Sequence, residues 1–365
     1  MSVKDLTAYS ISRHKPYTPG EQPTILERTI KLNTNENPYP PTPQISESIL
    51  AQITDLNRYP NSSADDLRST IANLHNVHPD QVIVGNGSDD ILNLCVRCFS
   101  DRSKSIGMLD PSYSLYEVLG SLQGTEVKKI PFKDQNFTIE PDIISQSGTN
   151  IFFLTSPHAP TGRIYENTVF SSILKSYLGI LVIDEAYADF APFNAIPLLA
   201  ESERVIITRT LSKSYSLAGL RVGYALAGKE VISILNKARE VYNVDRLAQI
   251  IAQIALKDRE YFDETTRKII SVRERVYKTF IDWRWYTYPS GANFLFTQPL
   301  NYSETSGRDI AEDLYKYLND NNVFIRYFPS NQLTSSFLRI SIGKEEEMDM
   351  LIELINTWKI QEQPK

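Results

Sequence analysis

An α/β fold built on a mainly parallel, seven-stranded sheet is predicted for this 365-residue chain by three observations. Short apolar, β-branched runs alternate with helical stretches from about residue 80 to Gly228. Several of these runs, from Asn150 onward, are only four or five residues long and largely apolar, as expected of strands covered on both faces. Turns rich in glycine and hydroxyl residues follow several of them, where ligands of open α/β sheets bind.

Residues 1 to about 30 form an arm broken by Pro16, Pro19, Gly20 and Pro23. A proline-rich extended segment, Leu32 to Pro43, leads into helices expected over Gln44–Ile53 and Ala64–Leu74. The predicted strands are Gln81–Gly85, Ile106–Leu109, Thr125–Ile130, Asn150–Leu154, Ile180–Asp184, Arg204–Thr208 and Val222–Leu226. Helices are expected over Asp89–Phe99 and near Tyr113–Leu122. After Gly228 the spacing of apolar residues predicts a helix over Glu230–Tyr242 and a long helical stretch from Asp245 to about Ile281. Strands Asn293–Thr297, Val323–Tyr327 and Phe337–Ile342, with a helix near Arg308–Asn319, make a smaller α+β unit. The expected organisation is an arm (1–30), a large domain (31–260) and a small C-terminal domain (261–365), with the N-terminal segment able to pack on the latter.

The bulk composition narrows the function. With 38 Lys and Arg against 44 Asp and Glu, the chain carries a net charge of −6, which disfavours a basic nucleic-acid-binding face. The N-terminus lacks the apolar stretch of a signal peptide, and no run is long enough to span a membrane. The only cysteines, Cys95 and Cys98, exclude a disulfide framework and fit a reducing cytoplasm. Their C-x-x-C spacing falls within a helical core pattern (Ile91, Leu92, Leu94, Cys95, Cys98, Phe99), so the pair reads as structural. The four histidines show no metal-ligand spacing.

Three segments carry chemistry. In Thr208–Arg221 a lysine, Lys213, lies in a hydroxyl-rich loop after a buried strand, with Arg221 eight residues on. A desolvated lysine near other cations has a lowered pKa and forms Schiff bases, and an arginine grips phosphate as a fork. In Gly179–Tyr187 a buried strand delivers Asp184 at its C-terminal end, where a carboxylate needs a cationic partner such as a protonated pyridine nitrogen. In Val84–Asp90, Gly85-Asn86-Gly87-Ser88 joins a strand to a helix N-terminus suited to phosphate. A dinucleotide loop would place its third glycine at position 90, which is Asp90.

Together these segments resemble the fold type I aminotransferases that use pyridoxal phosphate, and within them the histidinol-phosphate aminotransferase family. The matching stretches run in family order across nearly the whole chain. They include Pro16–Glu21, Leu32–Pro40, Arg58-Tyr59-Pro60, Gly87–Asp90, Asp110–Tyr113, Ala159–Gly162, Asp184–Tyr187, Arg209–Lys213, Gly219–Gly223, Ser290–Phe294 and Leu338-Arg339-Ile340.

The resemblance implies roles for these residues. Lys213 would form the Schiff base with the cofactor and then move the substrate's α-proton. Asp184 would hold the ring nitrogen protonated, Tyr187 would bond the phenolic oxygen, and Tyr113 would stack on the ring. Backbone N–H groups of Ser88 and Asp89, the Ser212 hydroxyl and Arg221 would hold the phosphate. Tyr59 would reach that phosphate from the other subunit of a homodimer. Arg339 and Arg326 would bind the anionic end of the substrate, with Tyr17 and Asn37 beside it.

The reaction implied is a ping-pong exchange of the amino group between L-histidinol phosphate and 2-oxoglutarate, giving imidazole-acetol phosphate and glutamate, in histidine biosynthesis. The same scaffold serves aromatic amino-acid aminotransferases and threonine-phosphate decarboxylase. A non-catalytic cofactor-binding domain fits less well with a chain that keeps both Lys213 and Asp184. One departure stands out: where the family reads Pro-Asn-Asn-Pro-Thr-Gly, this chain reads Pro157-His158-Ala159-Pro160-Thr161-Gly162. Ala159 cannot bond the phenolic oxygen, a loss of about 1.5–3 kcal/mol. His158 or a water is expected to substitute in part.

Overall fold

A computed structural model describes residues 2–14, 16, 22–23 and 29–361. A two-residue strand, β1 (Ile30–Lys31), precedes the main sheet. The main sheet contains β2 (Val82–Gly85), β3 (Ile106–Asp110), β4 (Val127–Pro131), β5 (Ile151–Thr155), β6 (Ile180–Asp184), β7 (Val205–Thr210) and β8 (Gly223–Ala227). They lie in the order β2-β8-β7-β6-β5-β3-β4. Only β8 runs against its neighbours, pairing antiparallel with both β2 and β7. All seven predicted strands are present within a residue or two of their expected limits.

The continuous apolar character of these strands has a direct cause. Val82, Val84, Phe152, Leu154, Leu181 and Ile183 pack into one hydrophobic core. The residues between them, Ile83, Ile151, Phe153 and Val182, pack into another on the opposite face. Helices Asp65–His75, Asn167–Ser176 and Arg246–Lys257 cover the first face. Helices Ser88–Phe99, Leu115–Gln123 and Lys229–Ala238 cover the second. Cys95 is fully buried in this second core beside Ile91 and Leu92, as the helical spacing requires.

The C-terminal unit has its own core and a four-stranded antiparallel sheet. Its strands are β9 (Tyr286–Thr287), β10 (Phe294–Gln298), β12 (Arg326–Tyr327) and β13 (Leu338–Ser341), in the order β12-β13-β10-β9. The remaining strand, β11 (Val323–Phe324), pairs in parallel with β1, which brings Ile30 and Leu32 into this second core.

Two expectations are corrected. The helical stretch from Asp245 to Ile281 is two helices, Arg246–Lys257 and Arg259–Asp282. Asp258 separates them; its ψ of 73° leaves the helical range, and its side chain accepts from the Tyr261 N–H as an N-cap. The single strand expected over Val323–Tyr327 is split at Ile325, its two halves joining different sheets. Apolar periodicity reports burial, and buried residues lie on both sides of the Asp258 break, while the β11 and β12 halves are at least partly buried.

Candidate active site

The direction of β8 gathers the site. Because β2, β3, β5, β6 and β7 are mutually parallel and β8 is reversed, the ends of the first five and the start of the last share one edge. Gly223, the first residue of β8, pairs with Gly85 on one side and Thr210 on the other. A cavity of about 650 Å³ opens at this edge, its far wall supplied by β12, β13 and the 327–334 loop. Lys213, Asp184, Tyr187, Ser88, Asp89, Tyr113, Ser212, Arg221, Arg326 and Arg339 all line it.

Lys213 Nζ donates to the Thr34 carbonyl at 2.9 Å. Burial pushes its pKa down to about 8, Arg339 and Arg221 add to the effect, and Glu36 and Asp89 oppose it. Glu36 also lines the cavity. Burial raises its carboxyl, but Lys31 at 2.6 Å and Thr34 at 3.0 Å more than reverse this, leaving it below the ordinary glutamate value.

The glycine turn is shaped for an anion. Gly87 has φ +84°, and a Cβ there would strike the Arg221 guanidinium. A Cβ on Gly223 would strike the backbone of Gly87 and Ser88. The helix that begins at Ser88 has no side-chain cap, and its first residues, Ser88 and Asp89, line the cavity, so its N-terminus offers N–H groups to an anion there. Arg221, itself in the left-handed region at φ 57°, reaches Asp89 at 3.2 Å and the Ser212 hydroxyl at 3.3 Å. The Tyr113 hydroxyl donates to the other Asp89 oxygen at 3.3 Å.

Asp184 is 3% exposed, and burial raises its pKa to about 6 despite hydrogen bonds from Tyr116, Thr208 and the Ala186 N–H. The Tyr187 hydroxyl accepts from Asn35 Nδ2 at 2.9 Å. The orientation of that amide is set by Ser341, whose hydroxyl donates to Asn35 Oδ1 at 2.8 Å. Behind the site, Arg209 joins Glu185 and Asp189 at 2.8 Å each, and Ser214 donates to Asp189 at 2.5 Å, anchoring the loop that carries Lys213.

Arg326 and Arg339 are direct cross-strand partners in the β12–β13 pair. The Phe328 ring lies 5.6 Å from one guanidinium carbon and 5.3 Å from the other. Arg339 also donates to the Asn33 carbonyl at 3.0 Å.

Two expected residues, Asn37 and Tyr59, sit outside the cavity. Asn37 binds the carbonyls of Lys213 and Ser214 at 3.0 and 3.1 Å, bracing the lysine backbone. Tyr59 is 76% exposed outside the cavity and stacks on Tyr242 with ring centres 4.4 Å apart. Tyr17 lies outside the described residues.

The expectation that His158 substitutes for the missing amide is corrected. Its Nε2 meets the Pro111 carbonyl at 3.1 Å and must donate, so Nδ1 accepts from the Thr161 hydroxyl at 2.9 Å. Both nitrogens are therefore committed within a buried cluster containing Phe132 and Phe137, and it is Ala159 and Pro160, not His158, that line the cavity there. Burial pushes the His158 pKa down to about 4.

Sequence reasoning also missed Tyr116, Asn35, Glu36 and Phe328. Tyr116 carried a readable signal: it follows Tyr113 by one helical turn, and a buried Asp184 needs donors.

Comparison with known proteins places this constellation. A family model, aminotransferase class I and II, matches residues 27–355. The chain belongs to the class I and II aminotransferases. It is 41% identical over 351 residues to the histidinol-phosphate aminotransferase of Geotalea uraniireducens, covering 95% of this chain and 97% of that one. It is 39% identical over 339 residues to the protein of the same name from Microcystis aeruginosa, covering 93% and 94%. In fold it matches the crystal structure of histidinol-phosphate aminotransferase from Sinorhizobium meliloti in complex with pyridoxal-5'-phosphate. That match has a TM-score of 0.82 at 24% identity, over 90% of this chain and 91% of that one. The residues of this aminotransferase fit that cofactor: an amine with a lowered pKa, a buried carboxylate, and an uncapped helix N-terminus flanked by arginine, all on one cavity.

Proposed function

We propose that this aminotransferase moves the amino group between L-histidinol phosphate and 2-oxoglutarate, using pyridoxal phosphate held at Lys213. The observation that carries the substrate assignment is the Arg326–Arg339 pair. Like charges directly opposed on neighbouring strands destabilise a sheet unless an anion lies between them. A phosphate neutralises both guanidiniums, and the side-chain carboxylate of glutamate binds the same place in the other half-reaction.

The cofactor supplies an aldehyde for the amine and an electron-withdrawing ring. The protein supplies the remaining functions. The Lys213 amine, its pKa lowered to about 8, accepts and returns the substrate's α-proton. Asp184 holds a proton at the ring nitrogen. Arg221, the Ser212 hydroxyl and the N–H groups of Ser88 and Asp89 bind the cofactor phosphate. Tyr187, oriented by Asn35, directs its hydroxyl at the phenolic oxygen.

Two copies of the chain form the working unit in this reading. Tyr59 stacks on Tyr242, and Leu56 and Val241, close to them in sequence, are exposed as well; a second copy would cover this apolar surface while delivering Tyr59 to the neighbouring phosphate site. No helix among the described residues is long and apolar enough to cross a membrane, and both cysteines are free thiols, in keeping with a cytoplasmic enzyme.

The test is a donor panel on cofactor-loaded protein with 2-oxoglutarate as acceptor. Histidinol phosphate should give the highest kcat/KM, ahead of aromatic amino acids and threonine phosphate. Release of carbon dioxide from threonine phosphate without keto-acid formation would overturn the assignment. Borohydride reduction should fix the cofactor at Lys213.

A further inference from the structure

Asp184 is deep enough that its charge depends on every donor around it. Two donors reach Oδ1: the Thr208 hydroxyl and the Ala186 N–H, each at 3.2 Å. On the other oxygen, the Tyr116 hydroxyl donates to Oδ2 at 2.8 Å, the shortest of the three. Tyr116 is absent from the cavity wall and completely buried. Its ring is held on two sides, stacked on Phe153 with centres 4.8 Å apart and edge-on to Tyr113 at 5.6 Å. The hydroxyl is thereby aimed at the carboxylate from behind.

We infer that Tyr116 is a positioning residue: its hydroxyl keeps Asp184 ionised and holds the carboxylate facing the cavity, so that the cofactor's ring nitrogen stays protonated. This rests on the proposed role of Asp184. Burial, and then Asp184 itself, push the Tyr116 phenol far above its ordinary range, so it remains a donor at every working pH. Burial opposes ionisation, and Asp89 on the neighbouring helix adds a like charge; the fully buried Cys95 thiol of that helix is itself raised by burial and stays neutral. On the cavity side, Tyr113 and Tyr187 are the titratable groups nearest this pair. The side-chain donors to Asp184 are thus Tyr116 and Thr208, and Tyr116 makes the shorter bond.

The test uses the full chain labelled with ¹³C-carboxyl aspartate, with D184N assigning the resonance. Y116F removes one oxygen and keeps the stacked ring. It should raise the Asp184 titration midpoint by about one to two pH units in cofactor-free protein, because a donor to the charged form is lost. Site-specific 3-fluorotyrosine at position 116, a stronger donor of nearly the same size, should lower the midpoint and keeps the test decisive if Y116F folds poorly. In the loaded enzyme, ¹⁵N-labelled cofactor should show a loss of ring-nitrogen protonation near neutral pH in Y116F, with kcat falling more than KM changes. A folded Y116F whose Asp184 midpoint and ring-nitrogen signal match wild type would overturn the inference. Failure of borohydride to fix the cofactor at Lys213 in wild type would instead overturn the reading of the site, leaving the cofactor-free titration intact.

Discussion

Arg326 and Arg339 stand directly opposite one another across the β12–β13 pair, and the Phe328 ring lies near both guanidinium groups, 5.6 and 5.3 Å from their carbons. If one dianionic group neutralises both, the two arginines contribute unequally to different donors. R326Q should lower kcat/KM for histidinol phosphate by about 10- to 100-fold, the loss of one charge-assisted hydrogen bond. An aromatic donor without phosphate should be affected much less. R339Q should impair both classes. Steady-state kinetics with the two donors separates these outcomes.

The Lys213 amine should behave as a group with a pKa near 8. The rate at which cofactor-free protein captures pyridoxal phosphate should rise with pH and level off above that value, since only the neutral amine attacks. Removing a nearby cation favours the protonated amine, so R339Q should move the midpoint upward. Removing the Glu36 charge does the reverse, so E36Q should move it downward. Stopped-flow absorbance across a pH series provides the check.

His158 is a structural residue whose neutral form is required by the fold. Its folded pKa, near 4, lies below the ordinary value of 6.5. The unfolded chain therefore binds the extra proton first as pH falls, and the stability due to neutral His158 is complete above 6.5 and lost toward 4. H158F titrates in neither state. The unfolding free energy of wild type minus that of H158F should rise by about 3 kcal/mol between pH 4 and 6.5. Urea denaturation at several pH values measures this, and the subtraction cancels the contribution of Asp184.

Glu185 is 2% exposed and pairs with Arg209, which is 5% exposed. E185A leaves the guanidinium buried with Asp189 as its remaining carboxylate partner. The expected cost is about 3 kcal/mol, seen as a lowered denaturation midpoint. The Ala195 N–H also loses its acceptor, which adds to the effect.

If Tyr59 completes the neighbouring site, two inactive variants should complement each other. A mixture of K213A and Y59A subunits, exchanged in solution, should regain activity from hybrid dimers in which one site holds both Lys213 and the partner's Tyr59. No recovery from demonstrated hybrids would show that each site is built from one chain.

The primary structure alone was enough to place the seven core strands and to put Lys213 and Asp184 at the ends of two of them. That information is local. A strand covered on both faces must be apolar along its length, and the residues just beyond it must fall at the sheet edge. What tertiary structure decided depends on contacts between distant segments. Val323–Tyr327 is one β-competent run in sequence, but β1 captures its first half and β13 its second, and that division sets Arg326 against Arg339. His158 is a polar residue in a loop motif until Pro111 and Thr161 close around it. Tyr116 reads as a core aromatic until Asp184, 68 residues away, arrives at its hydroxyl. In each case the sequence specifies a donor, a charge or an apolar face, and the partner that gives it a role is chosen only when the chain packs.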